Sequence, residues 1–255
     1  GAPEKMGFRK RMLPKHKTSR IIHFVHIRKQ HVQQTAKKHT NQTTTSMRAT
    51  AVRLSMTRYA ILGGTGKMGA PLLDNVLDHA RKHPDKARVT GMLVERKQYD
   101  EVWQRWMETD DDATRQMRVL DASNSDDLRE GVENADVLLS VLPRSGITRT
   151  IAERISLPRE PNTRRRWVDL CTSDPNDTEH IASKLRRVGI GYVDAPVSGG
   201  TKGAEGARLA IMVGGQATVF NSVKTVLCAM GRPVHVGPSG AGQLAKLANQ
   251  AIVGV

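Results

Sequence analysis

Arg58-Tyr-Ala-Ile-Leu-Gly-Gly-Thr-Gly-Lys-Met-Gly-Ala-Pro71 is a short apolar run that enters a glycine-rich turn and leaves it in a helical pattern. Gly64, Gly66 and Gly69 fit G-x-G-x-x-G in the strand, turn and helix setting that gives the motif its meaning. Gly64 permits the tight turn, Gly66 lets a pyrophosphate approach the backbone, and Gly69 lets helix and strand pack closely. Thr65, Lys67 and Met68 fill the turn between them. Phosphates would sit at the helix N-terminus, where free N–H groups and the macrodipole favour anions. Glycine turns also serve purely structural ends, so the motif alone leaves a dinucleotide site and an ordinary turn equally open.

Outward from the turn, Met68, Leu72, Leu73, Val76, Leu77 and Ala80 recur at helical spacing. Pro71 falls in the first turn, where its missing N–H costs little. Val89 to Val94 reads as a second strand, closed by Glu95-Arg96. A carboxylate at that strand end suits the ribose hydroxyls of NAD, whereas a guanidinium suits the 2′-phosphate of NADP. Glu95 and Arg96 therefore compete as cofactor-binding residues, with NAD slightly favoured.

Residues 97–118, with Trp103 and Trp106, read as a solvated helix and loop. Ser125 is placed to cap a short helix from Asp126 to Asn134. Asp136 to Leu142 is a buried strand ending at Pro143; Trp167 to Cys171 is another, with a helix after it to about Val188. Tyr192 to Asp194 and Leu209 to Val213 are strands bracketing a glycine-rich loop. A helix over Gln216 to Met230, a short strand at Val234 to Val236 and an apolar helix from Ala241 to Val255 complete the pattern. Strands alternating with helices predict an α/β fold, a Rossmann-type doubly wound and mostly parallel sheet.

The net charge of +15 invites a nucleic-acid partner, so its location matters. Residues 1–58 hold 14 of the 40 Lys and Arg and one of the 25 acids, Glu4, and the remainder is close to neutral. The basicity belongs to this leader, which argues against nucleic acid as the partner of the rest. An acid-poor leader without sustained hydrophobic period predicts disorder on its own. Its Arg- and Ser/Thr-bearing composition is that of a mitochondrial transit peptide, with the cytoplasm as the alternative compartment. Met56 stands just before the first strand and the chain opens on Gly1, so mis-assigned upstream sequence is a competing reading of the leader. No apolar run approaches the ~18 residues of a membrane span. Cys171 and Cys228 make neither a disulfide framework nor a zinc spacing, and no metal is expected.

Four stretches together resemble the β-hydroxyacid dehydrogenases, the family of 3-hydroxyisobutyrate dehydrogenase and tartronate-semialdehyde reductase. They are Gly64-Thr-Gly-Lys-Met-Gly-Ala-Pro71, Ala135-Asp-Val-Leu-Leu-Ser-Val-Leu-Pro143, Asp194-Ala-Pro-Val-Ser-Gly-Gly200 with Gly203-Ala-Glu-Gly206 and Met212-Val-Gly-Gly215, and Gly240-Ala-Gly-Gln-Leu-Ala-Lys246-Leu-Ala-Asn-Gln250. The resemblance covers about residues 59–255. It implies that the Gly64 turn, Leu142, Pro143 and Thr172 line the cofactor, and that Ser198, Gly199 and Gly200 hold a substrate carboxylate. It also implies that Lys246 is catalytic, supported by a side-chain amide from Asn249 or Gln250. Two positions depart from the common pattern: Cys171 replaces a serine, and Gln250 replaces a second asparagine, which bears on substrate choice. Family members continue beyond this point through a helical domain that completes the site and usually a homo-oligomer. The implied organisation is a leader at 1–58, a dinucleotide-binding domain at 59–238, and at 239–255 the first helix of an all-α domain otherwise missing. These 255 residues alone are then expected to bind cofactor weakly and turn over poorly.

The chemistry agrees with these roles. Hydride transfer from a hydroxyl-bearing carbon must be accompanied by proton transfer, which a lysine can provide if burial lowers its pKa. Gln250, at i+4 from Lys246, is expected on the same helix face, able to orient the hydroxyl. The bland alternatives are a lysine snorkelling from an apolar helix and an ordinary turn at Ser198. Asp194 is expected to fix its turn and Cys171 to pack at a strand end. The expected activity is an NAD(P)-dependent 3-hydroxy acid dehydrogenase. Two alternatives are a non-catalytic dehydrogenase-like module with a nucleic-acid-binding leader and a decarboxylating enzyme of 6-phosphogluconate type.

Overall fold

The computed structural model describes residues 56–107, 112–115, 117–143, 145–155 and 165–253. The leader up to residue 55, and the expected continuation of the last helix to Val255, therefore lie outside the described residues.

Five parallel pairings build the body of the sheet. β1 (Thr57–Gly63) lies between β2 (Ala87–Val94) and β4 (Val137–Val141); β3 (Arg118–Asp121) flanks β2, and β5 (Arg166–Asp169) and β6 (Gly191–Asp194) follow β4. The order 3-2-1-4-5-6 is that of a doubly wound dinucleotide-binding sheet, as the sequence pattern predicts. β8 (Leu209–Gly215) runs antiparallel to β6 and also to the two-residue β7 (Val197–Ser198). β6 and β7 are in effect one line broken at Ala195-Pro196. β9 (Gly231–Gly237) pairs with β8 in parallel and carries Pro233, a residue suited to an edge strand.

Both faces of the sheet are covered, which is why its strands read as near-continuous apolar runs. Successive side chains of β1 go to opposite sides: Tyr59 and Ile61 enter one core, Ala60 and Leu62 the other. The first core receives Leu72, Leu73, Val76 and Leu77 of α1 (Gly69–Lys82) and Val219, Val223 and Leu227 of α8 (Ala217–Cys228). The second receives α4 (Ser125–Glu133), α5 (Ser145–Arg154) and α6 (Pro175–Arg187) through Leu128, Ile151, Ile181 and Leu185. The chain ends its described part in α9 (Ala241–Val253).

Three local expectations need correction. Within residues 97–118, the short α2 (Tyr99–Val102) leads into a π-helical turn at Trp103–Met107, and α3 (Asp112–Arg115) follows. This segment is not merely solvated: Trp106 is buried, and its indole N–H donates to Asp74 Oδ1 of α1 at 2.7 Å. A polar local sequence hid an anchor whose partner lies on another helix. The cap of α4 is Asn124, not Ser125; its side chain accepts from the N–H groups of Asp126 and Asp127. Finally, the glycine-rich stretch between β6 and β8 is not all loop, because it holds β7 and the short α7 (Gly200–Glu205).

Candidate functional site

The turn after β1 is shaped by glycine. Gly63 and Gly64 have φ of +87° and +106°, which L side chains rarely adopt. A Cβ on Gly69 would lie 2.5 Å from Gly64 Cα, so the start of α1 rests directly on the turn. Gly66 has nothing within 4 Å of where its Cβ would be, which leaves its backbone open to a ligand. α1 begins at Gly69 without a side-chain cap or an acidic residue in its first turn, so its positive end is not neutralised there.

A cleft of about 480 Å³ opens at this turn, within the size range of small-molecule and cofactor pockets. Gly64, Thr65, Gly66, Lys67, Met68 and Gly69 line one side, Glu95 stands at the end of β2, and Leu142 and Pro143 follow β4. The cleft thus lies beyond the C-terminal ends of β1 and β4, where the strand order reverses and doubly wound sheets bind ligands. Arg96 and Thr172 are exposed and are not among its lining residues. Glu95 carries its carboxylate 2.5 Å from Lys97 Nζ, both well exposed, so the pair is worth little energetically and leaves the carboxylate reachable. Gln98 was not signalled as a site residue. Its Oε1 accepts the Glu95 N–H at 3.2 Å and its Nε2 donates to Thr65 Oγ1 at 2.6 Å, stitching the end of β2 to the glycine turn. The glutamate-to-glutamine spacing of three was the available signal.

A second cluster forms where β7 meets α9. Gly199 and Gly200, with φ of +133° and +61°, turn the chain from Ser198 into α7. Asn249 Nδ2 donates to Ser198 Oγ at 3.1 Å. Lys246, one turn earlier on α9, is 9% exposed, and burial lowers its pKa from the ordinary lysine value. Gln250, at i+4 from Lys246, is exposed, and the amide that reaches the serine loop is that of Asn249 at i+3. The two clusters are tied through α7, since Asn75 Nδ2 of α1 donates to Ala204 O at 2.7 Å. A further cleft of about 510 Å³ has Thr65, Gly66 and Lys67 on one wall and Thr201 and Glu205 of α7 on another.

Between them lies a buried polar network at the ends of β4, β5 and β6. Asp169 accepts from Ser140 Oγ at 2.8 Å, Tyr192 Oη at 3.0 Å and the Cys171 N–H at 3.2 Å, and Trp167 Nε1 donates to Ser140 Oγ at 2.7 Å. Burial pushes the Asp169 carboxyl up, and these donors partly offset it. Cys171 accepts the Leu142 N–H at Sγ, 3.0 Å away, and its buried thiol is pushed well above the ordinary range. It packs at the end of β5, where Thr148 Oγ1 also lies 3.7 Å from its Sγ.

The chain has relatives among known proteins. Residues 60–237 match the family described as the NAD binding domain of 6-phosphogluconate dehydrogenase. The chain is 38% identical over 125 residues to 2-(hydroxymethyl)glutarate dehydrogenase of Eubacterium barkeri, covering 47% of this chain and 40% of that protein. It is 35% identical over 127 residues to the mitochondrial 3-hydroxyisobutyrate dehydrogenase of Drosophila melanogaster, covering 49% and 39%. Among solved structures it resembles the 3-hydroxyisobutyrate dehydrogenase of Mycobacterium tuberculosis with L-serine, at a TM-score of 0.63 and 28% identity, over 78% of this chain and 60% of that one. The chain belongs to the family of the 6-phosphogluconate dehydrogenase NAD-binding domain, in the β-hydroxyacid dehydrogenase group. It spans less than half the length of the curated relatives named here.

Proposed function

We propose that the chain is the cofactor-binding portion of an NAD(P)-dependent dehydrogenase acting on a small 3-hydroxy acid. The observation that carries this reading is the cluster of buried Lys246 with the Ser198–Asn249 pair, on the same domain as the glycine-turn cleft.

The residues present fit a dinucleotide. The open backbone at Gly66 and the uncapped start of α1 suit a pyrophosphate, and Leu142 and Pro143 give the cleft an apolar wall. Glu95, reachable at the end of β2, supports NAD over NADP. The nicotinamide, when bound, supplies the hydride acceptor. Ser198 and the turn at Gly199 and Gly200 would hold the substrate carboxylate through a hydroxyl and unhindered N–H groups. Lys246, as the neutral amine, would take the hydroxyl proton during oxidation and return it during reduction. Asn249, already bonded to Ser198, would keep the carboxylate cradle and the lysine helix in register, with Gln250 beside it. The L-serine that accompanies the M. tuberculosis 3-hydroxyisobutyrate dehydrogenase, a small acid with a hydroxyl at the 3-position, supports this substrate class.

The basic leader is proposed as a mitochondrial address, supported by its composition and by the word mitochondrial in the names of relatives from Drosophila melanogaster and Dictyostelium discoideum. No helix of the described residues is long and apolar enough to cross a membrane. Residues 239–255 are proposed as the start of a helical part, and oligomerisation as a property of the full-length protein.

Activity against a panel of small 3-hydroxy acids, with NAD and NADP in parallel, tests the assignment. Reduction of NAD by at least one such acid is expected. Turnover confined to phosphorylated sugar acids would overturn the substrate class.

A further inference from the structure

Asp194 ends β6 fully buried, and both its carboxylate oxygens are committed to α9. Oδ1 accepts the Gly240 N–H at 2.9 Å and Oδ2 the Gln243 N–H at 3.1 Å. Such N–H groups lack partners within their own helix, and the positive end of its dipole favours a carboxylate there. Gln243 completes the attachment with its side chain: Nε2 donates to Cys171 O at 2.9 Å and Oε1 accepts the Ser173 N–H at 2.9 Å. The first turn of α9 is thereby fastened to the ends of both β5 and β6.

The fit has no slack. A Cβ on Gly242 would come within 2.5 Å of Met212 O and 2.7 Å of Asp194 Oδ2, and one on Gly214 would meet Gly242 N at 2.7 Å. Lys246 is three residues beyond Gln243, on the same helix face, and both are buried. Elsewhere on α9, Leu244 and Leu247 are 59% and 47% exposed, so apolar packing does not hold the helix from that side. Lys246 thus lies between the polar attachment one turn before it and the Asn249–Ser198 bond one turn after it.

We propose that Asp194 and Gln243 are positioning residues, a clasp that sets where α9 carries Lys246 relative to the Ser198 loop. The proposal rests on Lys246 being the proton-transfer group. Burial is the cause of the lowered Lys246 basicity. Lifting the helix would expose the lysine and return its basicity toward the ordinary value.

The test is competitive acylation of lysines in the full chain across pH, read by mass spectrometry, for the wild type, Asp194→Asn and Gln243→Leu. The labelling midpoint of Lys246 is expected to rise toward the ordinary lysine value in both variants. Hydride-transfer kcat should fall about tenfold or more, with cofactor affinity within about twofold. A variant that is folded by circular dichroism and keeps the wild-type midpoint overturns the clasp, whatever its kcat. If Asp194→Asn does not fold, Gln243→Leu and Gly242→Ala decide by the same midpoint. Lys246→Ala is assayed alongside: full turnover there defeats the acid–base assignment, while the midpoint still judges the clasp.

Discussion

A methyl group at position 69 would land 2.5 Å from Gly64 Cα, against backbone that has nowhere to go. Gly69→Ala should therefore lower stability by about 1–3 kcal/mol, the usual cost of overpacking. It should also weaken dinucleotide binding, because the turn must open to admit the methyl. Chemical denaturation and a cofactor titration check the two effects. Lys246 makes a prediction in pH. Burial lowers its pKa, so its neutral form is present at lower pH than in an exposed lysine. The rate of alcohol oxidation should rise with pH and level off below the ordinary lysine value. The reverse reduction, which needs the protonated amine, should decline over the same range. A profile that keeps climbing to the ordinary lysine value would count against a buried base. The glycines were legible because each answers a local steric demand. That Asn249 reaches Ser198 while Gln250 stays exposed was not, because it depends on how α9 is rotated against a strand 51 residues earlier.

The elements show where local pattern suffices and where it does not. α1, β1, β2, β4, β5, β6 and β8 carry their pattern in their own apolar residues and could be read directly, whereas β3 and the two-residue β7, short and only partly buried, could not. The segment after β2 could not: Trp106 is fixed by Asp74, 32 residues away in sequence, and nothing nearby signals it. Trp106→Phe keeps the packing and loses that bond, which should cost about 1–2 kcal/mol in urea denaturation. α5 escaped notice because few of its side chains are apolar: Ile151 is buried, while Ile147 is exposed and lines the glycine-turn cleft. Asp194, expected to fix a turn, instead caps a helix that follows it by 46 residues at the nearer hydrogen bond.

At the scale of the molecule, the charge is divided from the chemistry. The net positive charge is concentrated in residues 1–58, whereas both candidate clusters lie on the nearly neutral remainder. A chain beginning at residue 56, which keeps the whole of β1, should thus bind cofactor with the same affinity as the whole chain, measured by nicotinamide fluorescence. A marked loss of affinity would assign the leader a part in the site. The doubly wound sheet explains how distant motifs meet, since parallel strands deliver all their following loops to one edge.

The central claim is that the glycine-turn cleft and Lys246 belong to one hydride-transfer site. Single-turnover transfer from 3-hydroxyisobutyrate to saturating NAD, for wild type and Lys246→Ala, tests it most directly. Small but measurable transfer is predicted for the wild type, and transfer slowed by about 100-fold or more for the variant, with unchanged NAD affinity. Equal transfer by both proteins would contradict the account.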